Sequence, residues 1–77
     1  MAEIDEEVIR IVASVAKVDS ASVRLETRLA EDLMIKSIGR IELAARIDAQ
    51  FGTQTSNFEI RRPKTVQDLV GLVAGKL

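Results

Sequence analysis

Apolar side chains follow a helical spacing at the start of the chain. They recur three or four residues apart and so share one helix face, at Ile4, Val8, Ile11, Val12 and Val15. Four acids lie within the first seven residues and Lys17 lies at the far end, an arrangement that suits the helix dipole. The pattern predicts a first helix over about residues 3–17.

A second helical pattern covers about residues 37–51 and is followed by Gly52, a residue suited to a left-handed helix cap. This helix carries two apolar faces on roughly opposite sides. The first face consists of Leu43, Ala44, Ile47 and Phe51, and the second of Ile38, Ile41 and Ala45. A domain of this size can hardly bury both. The second face is therefore either a set of ordinary, partly exposed hydrophobes or a docking patch.

Residues 18–36 show no sustained period, and their regular apolar anchors indicate a loop held on a core. A short third helix is predicted over about residues 56–61, with Ser56 or Asn57 as its cap. Thr65 and Asp68 form a capping-box pattern for a fourth helix over about residues 65–75. We therefore expect one domain over residues 1–77, an all-α four-helix bundle with a long first loop and a short third helix.

The composition excludes several function classes. The 77 residues contain no His, Cys, Tyr or Trp, so the usual general bases, a thiol nucleophile and thiolate metal ligands are all missing. We expect no catalytic residue and no metal site. The net charge of −1 and only two Phe argue against a nucleic-acid partner.

No apolar run approaches the roughly 20 residues that a membrane-spanning helix needs, and the N-terminus is acidic where a signal peptide would be basic. We expect a cytoplasmic protein without membrane insertion. The charge is uneven along the chain. Residues 1–32 hold eight acids and four bases, whereas residues 33–77 hold four acids and seven bases. This asymmetry bears on partners rather than on the fold.

Ser37 stands where the long loop meets the second helix, and the sequence places it at the N-cap. It is either a simple capping serine or part of an anion site. A capping box would need Glu or Gln at position 40, which is Arg40, and Lys36 precedes the serine. Two cations are unfavourable at the positive end of a helix unless an anion is bound or attached there. Gly39 would let such a group approach the backbone.

Residues 31–43, EDLMIKSIGRIEL, resemble the prosthetic-group motif of acyl carrier proteins. The similarity extends over essentially the whole chain in one register. The matching positions are Asp32, Leu33, Ser37, Ile38 in place of leucine, Glu42, Leu43, Phe51, Gly52, Thr65 and Val66.

The resemblance implies a bundle of the acyl-carrier-protein type in which Ser37 receives 4′-phosphopantetheine from coenzyme A through a phosphodiester. The thiol of this arm would carry an acyl group as a thioester, as in fatty acid biosynthesis and related lipid metabolism. Lys36, Gly39 and Arg40 would surround the phosphate. Partners would be a phosphopantetheinyl transferase and enzymes that load and transfer acyl groups onto a monomeric, non-catalytic carrier. The expected docking residues are Ile38, Ile41, Glu42, Ala45 and Arg46.

The sequence also departs from the family pattern. Lys36 replaces the usual acid before the serine, Gly39 stands at a position that is often acidic, and cations offset the acids of the second helix. Arg46 has an alternative role, an ion pair with Glu42 one turn away. These departures suggest a specialised carrier in a lipid or secondary-metabolite pathway. The alternative function is an unmodified, carrier-like helical module for protein interaction.

Overall fold

Four α-helices make up the regular structure of residues 2–77. A computed structural model describes residues 2–77, so Met1 of the expected 1–77 domain lies outside the described residues. The helices are α1 (Ala2–Ala16), α2 (Ser37–Phe51), α3 (Asn57–Ile60) and α4 (Val66–Lys76), with a single 3₁₀ turn at Ser20–Ser22. Residues 2–77 contain no β-strand. The predicted all-α fold with a long first loop and a short third helix is confirmed.

The core lies where α1 packs against α2 and α4, and α3 closes it against α2. Each long helix contributes the apolar face that its spacing predicts, because only that face can leave water. Leu43, Ala44 and Ile47 of α2 are buried, whereas Phe51 is half-buried. The fully buried side chains are Val8, Val12, Leu29, Leu43, Ile47, Ile60, Val66, Leu69 and Val73.

Local chemistry sets the helix ends. α1 stops at Ala16 because Lys17 takes a left-handed conformation (φ 61°), and the N–H of Val18 donates to the carbonyl of Ala13. Gly52 ends α2 in the same way, with φ 70°. α3 and α4 both begin with capping boxes, formed by Ser56 with Glu59 and by Thr65 with Asp68.

The loop between α1 and α2 is fixed to the start of α4 by backbone hydrogen bonds. The N–H of Leu29 donates to the carbonyl of Lys64 (2.9 Å), and the N–H of Val66 donates to the carbonyl of Thr27 (3.0 Å). The buried side chains of Val23, Leu29 and Ile35 hold the loop from its inner side. The loop therefore delivers the chain to the first turn of α2 in a defined position.

Asp32 stabilises the middle of this loop. Its carboxylate accepts hydrogen bonds from the backbone N–H of Arg28 (2.8 Å) and from the Arg28 guanidinium (2.9 Å). The hydrogen bond from the Arg28 side chain, followed by the one from its backbone, lowers the pKa of Asp32. Asp32, one of the motif residues, thus shapes the loop that leads to Ser37.

Candidate functional site

Ser37 is the first residue of α2 and is exposed to solvent. The expectation that it occupies the N-cap is wrong, because Lys36, with an extended backbone (φ −109°, ψ −159°), holds that position. The Lys36 side chain makes no capping hydrogen bond. Within residues 2–77, the Ser37 hydroxyl has no hydrogen-bond partner either. The serine is therefore not a structural cap, and its Oγ is accessible to a reagent.

The N-terminus of α2 differs from those of α3 and α4 in having no cap. Among the described residues, no acceptor meets the backbone N–H groups of Ser37, Ile38 and Gly39. The first intrahelical bond is donated by the N–H of Arg40 to the carbonyl of Lys36 (2.8 Å). Uncapped N–H groups with the helix dipole behind them favour an anion at this end.

Gly39 allows the loop to pack against the first turn of α2. A Cβ atom built on this glycine would lie 2.9 Å from Cγ2 of Ile35, closer than side chains normally approach. Ile35 is buried, and its β-branched side chain has little freedom to move aside. The glycine therefore serves the packing of the residue that precedes Lys36. The sequence analysis overlooked Ile35, which follows no helical period.

Arg40 contacts the backbone at the end of α3. Its Nη1 donates hydrogen bonds to the carbonyl oxygens of Ile60 (3.0 Å) and Pro63 (2.6 Å). Partial burial lowers the pKa of Arg40, although an arginine remains charged at all ordinary pH values. The side chain ties the first turn of α2 to the segment between α3 and α4. Its guanidinium is therefore directed to the end of α3.

An open cleft of about 660 Å³ lies beside Ser37. It runs between the end of α1, the last residues of the loop and the first turns of α2. Met34, at its edge, adopts a left-handed backbone (φ 59°) and is largely exposed. The sequence analysis did not predict this cleft, because residues far apart in the chain form it. Its lining consists of Val15, Ala16, Lys17, Leu33, Met34, Ile35, Lys36, Ser37, Ile38, Gly39 and Glu42.

The second apolar face of α2 is left uncovered. Ile38 is 83% exposed and Ile41 is 53% exposed, and Ala45 is exposed as well. On the same helix, Arg46 pairs with Glu42 (3.0 Å) and donates a hydrogen bond to the Ser14 hydroxyl (2.9 Å). Arg46 therefore links α2 to α1 in addition to forming the expected ion pair.

Residues 2–77 hold neither a metal-ligand cluster nor a membrane-spanning helix. No group of three or more His, Cys, Asp or Glu side chains in this range could hold a metal ion. None of the helices in the same range is both long enough and apolar enough to cross a membrane.

Comparison with known proteins decides the family. A family model described as "phosphopantetheine attachment site" matches residues 6–73. The chain belongs to the acyl carrier protein family. It is 36% identical over 75 residues to an acyl carrier protein of Thermosynechococcus vestitus, covering 97% of this chain and 93% of that relative. It is 31% identical over 65 residues to an acyl carrier protein of Onion yellows phytoplasma, covering 84% of this chain and 86% of the relative.

The family defines what this carrier does in outline. Acyl carrier proteins are non-catalytic carriers that hold acyl groups on a covalently attached 4′-phosphopantetheine, and fatty acid biosynthesis is their usual role. Their partners are the transferase that attaches the arm and the enzymes that handle the acyl group.

Proposed function

We propose that Ser37 is the residue that carries the 4′-phosphopantetheine arm, and that the chain presents acyl groups from this point to partner enzymes. The observation that carries the proposal is the Ser37 hydroxyl itself. It is exposed and free of hydrogen bonds within residues 2–77, and it stands at the uncapped start of α2. Ser37 also falls inside the range matched by the family model.

The residues around Ser37 fit a phosphodiester. This group is an anion, and the first turn of α2 offers uncapped N–H groups and the positive end of a helix dipole. Lys36 adds a cation whose side chain has no ion pair within residues 2–77. Arg40 belongs to the same helix turn, although its Nη1 donates to the carbonyls of Ile60 and Pro63. Gly39 leaves the backbone uncovered by a side chain.

Attachment requires a base that this chain does not supply. The Ser37 hydroxyl forms a new ester bond to phosphorus as the pyrophosphate bond of coenzyme A breaks, and adenosine 3′,5′-bisphosphate leaves. The hydroxyl proton passes to a base, and within residues 2–77 the Ser37 hydroxyl has no hydrogen-bond acceptor that could take it. The base therefore comes from the transferase. Once attached, the arm supplies a thiol that holds acyl groups as thioesters.

The cleft receives the arm, and the uncovered face of α2 docks partner enzymes. The cleft next to Ser37 gives the arm a partly apolar surface, in which Met34 and Ile38 are the exposed apolar side chains. Ile38, Ile41 and Ala45 form the apolar part of the partner-docking surface. Glu42 and Arg46 form its charged edge.

We further propose a specialised carrier, monomeric and cytoplasmic, that serves a lipid or secondary-metabolite pathway. The support is the cation at position 36, next to the attachment point, and the absence of an acid in the first turn of α2. Partners that recognise such a turn must differ from partners that recognise an acidic one. An unmodified interaction module is the competing function, and the following experiment separates the two.

The experiment is incubation of the purified protein with coenzyme A and a broad-specificity phosphopantetheinyl transferase, followed by intact mass measurement. Wild type should gain one phosphopantetheinyl group, and Ser37→Ala should gain none. Ser20→Ala is the matched control, because Ser20 is also an exposed serine at the start of a helical turn. Modification of Ser37→Ala, or loss of modification in Ser20→Ala, would contradict the assignment.

A further inference from the structure

The carboxylates of residues 33–77 are all engaged within the fold. Glu42 pairs with Arg46, and Glu59 pairs with Lys76 and caps α3. Asp48 accepts hydrogen bonds from Thr53 and Thr55, after the end of α2. Asp68 accepts hydrogen bonds from the backbone N–H groups of Lys64 and Thr65, at the start of α4. None of these four acids forms an ion pair with Lys36, Arg61 or Arg62 within residues 2–77.

Most cations of the same segment lack a carboxylate partner. Of its seven Lys and Arg residues, only Arg46 and Lys76 form ion pairs within residues 2–77. Arg40 binds carbonyl oxygens instead. The remaining four are exposed: Lys36, Arg61, Arg62 and Lys64. The charge of Lys64 acts partly on Asp68, whose pKa it helps to lower, whereas the positive charges of Lys36, Arg61 and Arg62 are free to act on an approaching partner.

Three of these cations lie in segments that meet at α2. Lys36 directly precedes Ser37. Arg61 and Arg62 lie between Ile60 and Pro63, the two residues whose carbonyls bind Arg40. The Arg40 contact thus ties the segment that carries the arginine pair to α2, the helix that begins at Ser37.

Exposed apolar side chains accompany these charges. Ile38 and Ile41 project from α2, and Phe58 of α3 is 70% exposed with the Arg62 guanidinium 5.6 Å from its ring. We refer to Lys36, Ile38, Ile41, Phe58, Arg61 and Arg62 together as the cationic face. An apolar centre with charges around it is the usual composition of a protein docking site.

We propose that the cationic face docks partner enzymes through an acidic surface that surrounds an apolar patch. The proposal rests on the proposed function, because it assumes that the enzymes must reach Ser37. Opposite charges would steer the partner and fix its orientation, while the isoleucines supply the buried contact. A nucleic acid or an anionic membrane is less suited, because the chain as a whole has a net charge of −1 and α1 begins with clustered acids.

Binding to the phosphopantetheinyl transferase of the same host tests this proposal. The carrier bears Ser37→Ala, so that association is measured without attachment, and the dissociation constant is obtained by calorimetry at low and high NaCl. The carrier with its surface charges unchanged should bind the transferase less tightly as the salt concentration rises, because salt screens the attraction between opposite charges. Arg61→Gln with Arg62→Gln should weaken low-salt binding about two- to thirtyfold, the range expected for two exposed pairs, and should flatten the salt dependence.

The matched control removes two charges elsewhere. Arg10→Gln with Arg24→Gln makes the same change in net charge on α1 and the first loop, where both arginines are exposed. This variant should bind within about twofold of the parent, since exposed charges away from an interface contribute little. Charge reversal by Arg61→Glu with Arg62→Glu should tighten binding to a second transferase whose docking surface is basic. Circular dichroism verifies that each variant is folded.

Several results would overturn the proposal. Binding that is insensitive to salt, or equal effects of the two double Gln variants, would show that the cationic face does not dock the enzyme. A membrane is the other possible partner, and it is tested by sedimentation with vesicles of phosphatidylcholine and phosphatidylglycerol. The face would be assigned to a membrane if the Arg61/Arg62 variant no longer sedimented with the vesicles and transferase binding were insensitive to salt. Failure of wild type to accept the arm would instead contradict the proposed function, and this binding experiment would still report on the face.

Discussion

Arg40 Nη1 lies 2.6 Å from the carbonyl oxygen of Pro63. Through this contact, α2 holds the segment between α3 and α4 against its own first turn, next to Ser37. The same nitrogen also donates a hydrogen bond to the carbonyl of Ile60. One guanidinium therefore binds two backbone acceptors where α3 ends. The position of the proposed attachment residue relative to α3 therefore depends on Arg40.

Arg40→Gln should lower the free energy of unfolding by about 1–3 kcal/mol, because it leaves two partly buried carbonyls without their donor. In a domain of this size, each 1 kcal/mol corresponds to about 4–8 °C in Tm. Arg46→Gln is the matched control on the same helix. Its ion pair with Glu42 is exposed, so the loss should stay below about 1 kcal/mol. Equal losses in thermal unfolding would contradict a structural role for Arg40.

Gly39→Ala should destabilise the protein although alanine is the better helix former. The new methyl group would meet Cγ2 of Ile35 at 2.9 Å, and overpacking typically costs about 1–3 kcal/mol. Gly71→Ala is the control within α4, where a Cβ meets nothing within 4 Å. It should stabilise by up to about 1 kcal/mol. Denaturant unfolding of both variants tests the pair, and shifts of the same sign would show that the Gly39–Ile35 packing is unimportant.

Asp48 should contribute to stability at neutral pH and lose this contribution in acid. Burial alone would raise the pKa of its carboxyl. The N–H of Thr55 and the hydroxyls of Thr53 and Thr55 donate hydrogen bonds to it, and the net effect is a lowered pKa. Since the folded pKa lies below the unfolded value of 3.8, the stabilisation is complete above about pH 4 and disappears as the pH falls through the folded pKa.

Asp48→Asn should therefore lower the free energy of unfolding at pH 7 by about 1–2 kcal/mol. It should also reduce the slope of stability against pH below about pH 4. Some slope should remain, because hydrogen bonds also lower the pKa of Asp32, Glu59 and Asp68. Urea unfolding at several pH values gives the comparison. Parallel curves for wild type and variant would show that Asp48 does not contribute to acid sensitivity.

Attachment of the arm should stabilise the protein at low salt. A phosphodiester at Ser37 places a negative charge at the uncapped start of α2, which contributes about 0.3–1 kcal/mol. Lys36 adds a favourable exposed pair of similar size. Arg40 adds less than the sequence suggests, since its Nη1 is bound to carbonyls.

The expected gain in Tm is a few degrees, and it should shrink as NaCl rises towards 1 M. Lys36→Asp is the control, in which the difference between apo and modified forms should be smaller. Calorimetric Tm values that are equal for apo and modified wild type at low salt would contradict this electrostatic account.

The sequence predicts the helices well because their stability comes from amphipathic faces and end caps. Val8 and Val12 of α1 and the Thr65–Asp68 box of α4 are local signals, and the structure contains both. The pairing of Leu29 with Lys64 is not a local signal. It joins segments far apart in the chain through backbone groups, which every residue carries.

The attachment region shows the same difference between local signals, which the sequence reveals, and contacts that only the fold creates. The position of Ser37 at the start of α2 follows from the motif, but its place within the cap does not. A serine there suggests an N-cap, whereas Ile35 and Gly39 fix the preceding chain so that Lys36 takes this position. The cations at positions 36 and 40 look equivalent in sequence. Only the fold brings the carbonyls of Ile60 and Pro63 to Arg40, while Lys36 stays exposed.

The most direct test of the account is the intact mass of the protein purified from its own host, with tandem mass spectrometry to locate any added group. The account predicts one phosphopantetheinyl group per chain, on the peptide that contains Ser37, and no addition to Ser37→Ala produced in the same host. An unmodified wild-type protein in cells that contain active transferase, or a group located on another serine, would contradict it.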